Sequence, residues 1–216
     1  MSEVMLAVEG LRFAYRKGGV ELFDGFSHEF APAQVSVVTG VSGRGKSTLL
    51  YLLGLLLTPV AGRVRFAGRD LTQTSDAERA QIRAGRVGFV FQDSELDPAR
   101  PVISSVLEPA LYAGRSRKAM RGRALELLER FGLGERAEHK PGQVSGGQAQ
   151  RLALCRALLL EPDVILADEP TGNLDRENAG IVLDALRDAA HTQGSTVVIA
   201  SHDPFVLEQA DQVVTL

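Results

Sequence analysis

The 216-residue chain has one cysteine, no excess of positive charge, no long apolar stretch and no internal repeat, and each shortage removes a class of function. With Cys155 alone, neither an intrachain disulfide nor a multi-cysteine zinc site can form, and a reducing compartment suits the chain. Lys and Arg number 24 against 27 Asp and Glu, a net charge of -3, so no basic surplus announces a nucleic-acid partner and none is expected. The longest apolar run, Leu49–Leu57, is interrupted by Gly54 and falls well short of the ~20 residues that cross a bilayer. It reads as a buried helix. Met1–Gly10 carries Glu3 and Glu9 and no apolar segment of leader length, which argues against secretion. Without a repeat or a low-complexity tract, the length fits one domain with room for an insert.

What is present alternates. Val35–Thr39, Gly62–Ala67, Val87–Phe91, Val164–Ala167, Ser195–Ala200 and Val213–Leu216 are short, β-branched or apolar runs bounded by turn residues, and they predict strands. Helices are expected over Lys46–Leu57 and, with Ile181, Leu183 and Leu186 on its apolar face, over Asp175–Gln193, closed by Gly194. Strand–helix alternation of this kind makes a parallel α/β sheet covered on both faces. Val4–Glu29 reads instead as a hairpin around Lys17-Gly18-Gly19, adding antiparallel strands. From Gln92 to Leu160 strand signals stop, and helices are expected over Val102–Tyr112, Lys118–Phe131 and Gln148–Leu160. The chain is thus read as a single unit over 1–216, with the α/β core at 1–93 and 158–216 and a helical insert at 94–157.

Three clusters carry chemistry. Gly40-Val-Ser-Gly-Arg-Gly-Lys46-Ser47 matches the phosphate-binding loop, placed between a strand and a helix. Its glycines let backbone N–H groups turn inward around phosphates at the positive end of the helix; Lys46 is placed to reach the β and γ phosphates and Ser47 to ligate Mg²⁺. Second, the apolar strand Val164–Ala167 ends in Asp168 and Glu169. Asp168 can hold the metal and Glu169 can polarise an attacking water; the alternative is an exposed acidic turn before Pro170. Third, Ser145-Gly146-Gly147-Gln148 opens a helix with free N–H groups, either an ordinary capped start or a second anion site. One triphosphate could use both helix ends only if they faced each other across a dimer.

Together these motifs resemble the nucleotide-binding subunit of ABC transporters, and the resemblance covers essentially the whole chain. The features run in the family's order: GVSGRGKS, Gln92 after VGFVF, VSGGQ at Val144–Gln148, LADEPTGNLD at Leu166–Asp175, and IASHD at Ile199–Asp203. The resemblance implies a P-loop NTPase (RecA-like) core with an antiparallel β-subdomain and a helical signature subdomain. It implies ATP and Mg²⁺ as cofactors, with Gly40, Ser42, Gly43, Gly45, Lys46, Ser47 and Thr48 around the phosphates and Tyr15 stacked on adenine, though Tyr15 could equally be a packed hairpin aromatic. Gln92 would join metal and attacking water to the helical insert, and His202 would hold Glu169 and contact the γ-phosphate. Ser145, Gly146, Gly147 and Gln148 would bind the γ-phosphate of a second copy, with Asp175 in the loop crossing that interface.

Two ATP molecules closed between two copies, opened again by hydrolysis, would drive a separate transmembrane permease, placing the chain on the cytoplasmic face of the membrane. Gly172-Asn173-Leu174-Asp175 and Glu108-Pro109 look most like the branch serving lipoprotein release, macrolide export and the cell-division complex. A mechanical role without translocation is the alternative reading. The chain departs from the pattern at Val144, at Arg44, and at Leu96-Asp97-Pro98 and Ser104-Ser105-Val106. His28, His139, His191 and Cys155 read as structural, and the five cations of Arg115–Arg123 as a solvated helix face, the alternative being a contact with anionic lipid heads or an acidic partner loop.

Overall fold

The computed structural model describes residues 5–16, 18–92 and 96–216. Met1–Val4, Lys17 of the expected turn, and the expected core–insert boundary at 93–94 lie outside the described residues. The chain builds two sheets. The first is antiparallel: β1 (Leu6–Phe13) pairs with β2 (Leu22–Phe30) on one side and with β4 (Ala61–Phe66) on the other, and β5 (Arg69–Asp70) finishes the edge. The second is parallel and has the order β6-β7-β8-β3-β9, formed by β3 (Val35–Thr39), β6 (Val87–Val90), β7 (Val164–Asp168), β8 (Thr196–Ala200) and β9 (Gln212–Thr215).

The parallel strands are apolar on both faces because both faces are covered. Val37, Ile165, Ala167, Val197 and Ile199 point into a core shared with α3 (Val102–Val106), α5 (Arg117–Arg130), α6 (Gly146–Leu158) and α7 (Arg176–His191). Their alternates, Val38, Leu166, Val198 and Ala200, point into a second core with α1 (Lys46–Leu53) and the antiparallel sheet. The parallel sheet is the wall between two apolar cores. Cys155 sits in the first of them, and burial pushes its thiol pKa up to about 12.

Four elements depart from the expected pattern, each for a local reason. The helix expected to reach Leu57 stops at Leu53: Leu55 takes φ 60°, and the bonds Leu56 N–H to Tyr51 O and Leu55 N–H to Leu52 O form a Schellman end. Gly54 at this stop touches Phe89 so closely that a Cβ would lie 2.1 Å from its ring. The helix expected over Val102–Tyr112 breaks at Leu107 into α3 and α4 (Glu108–Tyr112), because Pro109 has no N–H for the carbonyl one turn back. Two helices had no expectation. α2 (Asp76–Arg86) buries no residue completely, with Ile82 only partly covered against the second core, yet its Ser75 cap accepts from Glu78 N–H. α8 (Pro204–Leu207) starts at an Asp203 cap.

Candidate active site

Parallel strands deliver their carboxyl ends to one edge of the sheet, where β3, β8 and β7 stand side by side. The loop after β3 is the phosphate loop, running into α1 at Gly45. Gly40 takes φ 146°, and a Cβ there would lie 2.8 Å from the backbone oxygen of Leu216, so only glycine fits beside the last strand. Gly43 and Gly45 take φ 82° and 98°. Ser42 and Gly43 are exposed, and Lys46 Nζ donates to Gly40 O at 3.0 Å, which brings the ammonium to the loop's own backbone with two further donors to offer.

The first turn of α1 meets the end of β7. Ser47 Oγ donates to Asp168 Oδ1 at 3.0 Å across 121 residues of sequence. Asp168 is buried, and burial raises its pKa; the Ser47 hydrogen bond and Lys46 oppose that rise, while neighbouring Glu169 adds to it. A buried carboxylate beside a hydroxyl is a donor set of hard oxygens that fits Mg²⁺. No group of three or more His, Cys, Asp or Glu able to hold a metal exists among the described residues.

Glu169 stands one residue further on, in a left-handed conformation at φ 43°, with its N–H bonded to Ala200 O at the end of β8. That turn aims its carboxylate at the residues leaving β8. Ser201 Oγ donates to Oε2 at 3.0 Å, and His202 Nδ1 donates to Oε1 at 2.8 Å. A carboxylate only accepts, so the His202 proton sits on Nδ1 and the exposed ring presents Nε2 outward. Both carboxylate oxygens are therefore fixed by residues 32 and 33 positions away. Ser201 was not among the expected site residues; its only signal was its place before His202 in IASHD. Its Oγ also accepts from Asp203 N–H, which locks the turn.

Gln92 lies beside this carboxylate: it lines a cavity of about 150 Å³ together with Gly146, Gln150, Glu169 and Asn173. Gln150 is a second residue that sequence reasoning passed over. Buried on α6, it donates from Nε2 to Phe91 O at 3.2 Å and so ties the helix that starts at the Ser-Gly-Gly turn to the segment entering Gln92.

At the start of α6, Ser145 and Gln148 cap each other: Gln148 N–H bonds to Ser145 Oγ and Ser145 N–H to Gln148 Oε1. Gly147 rests on Asn178, whose backbone and side-chain N–H groups both bond to Asp175, the cap of α7. Those bonds hold the Asp175 carboxyl below the usual carboxylate range. Among the described residues no hydrogen bond joins the Ser145–Gln148 turn to the phosphate loop of the same chain. Tyr15, two-thirds exposed, meets Phe13 edge-on with ring centroids 4.9 Å apart.

Other expected residues fall elsewhere. His28 contacts Gln212, His139 contacts Arg136, and His191 pairs with Asp211, all away from this edge. Of the cations in Arg115–Arg123, Arg121 pairs with Glu138 and Arg123 with Glu126 and Glu161. A second concavity, about 550 Å³, opens between α2 and the helical segment, with Leu56, Phe89, Phe91, Pro109, Tyr112 and Leu160 on its walls. No helix among the described residues is long and apolar enough to cross a membrane.

The same arrangement occurs in known proteins. Residues 23–172 match the family model for ABC transporters. The lipoprotein-releasing system ATP-binding protein LolD 2 of Caulobacter vibrioides is 43% identical over alignments spanning 100% of this chain and 96% of that protein. LolD of Shewanella oneidensis is 41% identical, spanning 100% and 95%. The dimeric bacterial ABC transporter cassette MJ0796 superposes with a TM-score of 0.90 at 33% identity, over 98% of this chain and 94% of that one. A dimeric post-hydrolysis state of the same cassette, bound to ADP and Pi, gives 0.88 at 30% identity over the same shares. A family match across most of the sequence, whole-length relatives and a shared three-dimensional frame agree: the chain belongs to the ABC transporter family, as one of its ATP-binding, ATP-hydrolysing cassettes.

Proposed function

We propose that this cassette hydrolyses Mg²⁺-ATP between two copies of itself to drive a membrane partner of the lipoprotein-release type. The observation that carries the reading is the doubly anchored Glu169 carboxylate, standing one residue from Asp168 at the same sheet edge as the phosphate loop. The backbone N–H groups of Gly43–Ser47 and the α1 terminus receive the β and γ phosphates, and Lys46 exchanges the Gly40 carbonyl for a phosphate oxygen. Ser47 and Asp168 hold Mg²⁺, which supplies charge neutralisation on the phosphates when bound. Tyr15 offers its open face to the adenine ring.

Glu169 orients a water in line with the γ-phosphorus and takes its proton as the bond to the β–γ bridging oxygen breaks, giving ADP and phosphate. Ser201 and His202 keep that carboxylate aimed, and Gln92, in the same small cavity, carries the state of the γ-phosphate to the helical segment through Phe91 and Gln150. The capped turn at Ser145–Gln148 and the glycine N–H groups behind it face the γ-phosphate held by the other copy, so each ATP bridges the pair and hydrolysis releases it. Among the described residues that turn makes no hydrogen bond to its own phosphate loop. Asp175, capping α7 next to it, lies at the same interface.

The 550 Å³ cleft suits a short amphipathic segment of the membrane partner: it is walled mainly by apolar side chains and lies between α2 and the segment that Gln92 begins. Relatives at 39% to 43% identity along the whole chain carry the lipoprotein-releasing name, which supports that branch and a peripheral place at the membrane. Affinity purification from detergent-solubilised membranes, with mass spectrometry of what travels with the chain, tests it. A multi-span protein recovered in stoichiometric amount is expected. A cassette that leaves the membrane alone, with full ATPase activity and no companion, would remove the partner from the proposal.

A further inference from the structure

Thr48 and Tyr15 are joined by a bond that the reading above does not use. Tyr15 follows β1, on the connection toward β2, and its side chain is 66% exposed. A tyrosine so open to water ordinarily moves among its staggered rotamers. Here the ring is held at two places. Phe13 meets it edge-to-face at an interplanar angle of 87°, and its phenolic oxygen lies 2.8 Å from Thr48 Oγ1. Thr48 is the third residue of α1, directly after the serine bonded to Asp168, and only 5% of it is exposed.

A threonine inside a helix usually bonds its hydroxyl back to the carbonyl one turn earlier. Thr48 instead makes its one side-chain hydrogen bond among the described residues to Tyr15, across 33 positions of sequence. A buried hydroxyl needs such a partner, so the bond holds from both ends: Thr48 satisfies its polar group and Tyr15 loses its freedom. Because the ring is restrained through its para oxygen and by Phe13, a broad part of its surface stays open to a planar ligand.

We infer that Thr48 is a positioning residue which, through the Tyr15 hydroxyl, fixes the base-stacking ring relative to the phosphate loop, so that base and triphosphate are received by one rigid unit. The inference rests on Tyr15 being the base platform of the proposed ATP site. Its consequence is selective. A ligand with a base gains from a ring already in place, because the ordering cost is met before binding, whereas a bare triphosphate, received by the phosphate loop and the start of α1, gains nothing from the ring. Thr48 thereby sets how strongly the site prefers a nucleoside triphosphate to inorganic triphosphate, without itself reading the base.

Calorimetric titration of the full chain with Mg²⁺-ATP and with magnesium tripolyphosphate tests this in Tyr15→Phe, Tyr15→Ala, Thr48→Val and Thr48→Ser. Tyr15→Phe deletes one oxygen from an exposed ring and should weaken ATP by about fivefold, the worth of one hydrogen bond, with tripolyphosphate affinity unmoved. Thr48 also stands among the residues expected around the phosphates, so Thr48→Val is read by the ratio of ATP to tripolyphosphate affinity: that ratio should fall about as far as in Tyr15→Phe and no further in the double change, and Thr48→Ser, which keeps the hydroxyl, should keep the wild-type ratio. Wild-type ATP affinity in Tyr15→Phe, or equal losses for both ligands, would overturn the inference. Tyr15→Ala separates the two levels. If it weakens ATP while Tyr15→Phe does not, stacking stands and the anchor fails; if neither changes ATP affinity, the base-platform reading itself falls.

Discussion

Glu169→Gln is the sharpest perturbation the site allows. The amide has nearly the same shape as the carboxylate, so the two anchors seen in the structure can survive: Ser201 donates to the remaining oxygen, and the amide nitrogen can donate to a His202 tautomer carrying its proton on Nε2. ATP binding should therefore be kept. What is lost is the ability to take a proton, and a positioned general base contributes about 10²- to 10⁴-fold. Turnover of Mg²⁺-ATP should fall by at least about 100-fold, roughly 3 kcal/mol of barrier or more. Ser201→Ala gives the internal comparison, since the base remains but one of its two hydrogen bonds goes. A hydrogen bond to a charged group contributes about 1.5–3 kcal/mol, so turnover should drop by about 10- to 100-fold, less than for Glu169→Gln. The assay is phosphate release at saturating ATP, paired with equilibrium binding of a fluorescent ATP analogue to show that the site still fills. If Glu169→Gln turns over within about threefold of wild type, Glu169 is not the base and the anchoring by Ser201 and His202 serves another purpose.

The remaining predictions probe the frame around that carboxylate. Asp168→Asn should raise the melting temperature of the protein without nucleotide, because burial already disfavours the charge there, and should abolish the Mg²⁺-dependent gain in ATP affinity; a lower melting temperature would contradict the burial argument. The sign with pH follows from the same shift: with its folded pKa raised, Asp168 binds its proton more tightly in the folded protein, so its contribution to stability is fullest at low pH and is lost as pH rises through the folded value, an effect Asp168→Asn should remove from the melting profile. Ser145→Arg should leave ATP binding to a single copy intact while eliminating the ATP-dependent dimer in size-exclusion chromatography with Glu169→Gln in the background; normal dimerisation would rule out the composite site. Gly54→Ala places a methyl 2.1 Å and 2.5 Å from two Phe89 ring atoms and 2.9 Å from Leu166, so it should cost about 2–3 kcal/mol and lower the melting temperature by about 4–10 °C, read by calorimetry. An unchanged melting temperature there would mean that the α1 end and β6 are not packed as described.

Much of the frame was legible because the physics that made it is local. Val35–Thr39, Val164–Ala167 and Ser195–Ala200 read as buried strands, and the structure places strands there within a residue of those bounds, since a parallel sheet covered on both faces leaves no polar alternation to obscure them. Where local and global demands parted, reading failed. α2 has no buried residue, so periodicity could not reveal it, although the Ser75–Glu78 cap was written plainly. Leu55 gave no sign of its left-handed turn, because a leucine takes φ 60° here only to let its own N–H and that of Leu56 close the helix end on Leu52 and Tyr51. Pro109 was a visible warning inside the run Val102–Tyr112, but the apolar pattern continues across the break.

The sequence by itself determined which chemical groups are available and which stand next to one another along the chain: a glycine-rich loop with its lysine and serine, two carboxylates closing a buried strand, a capped Ser-Gly-Gly helix start. Hydrogen-bond geometry within a turn or a strand end is a matter of a few residues, and residue types suffice to state it. Tertiary structure decided the partnerships that make those groups work, of which the family resemblance had implied His202 on Glu169. Ser47 meets Asp168 and Glu169 is held by Ser201 and His202 because the strand order β6-β7-β8-β3-β9 sets β8 between the loop strand and the carboxylate strand, while Gln150 of α6 grips Phe91 and Thr48 of α1 holds Tyr15 beyond β1. Strand order depends on which apolar faces can be buried together across the whole molecule. No stretch of neighbouring residues carries that sum.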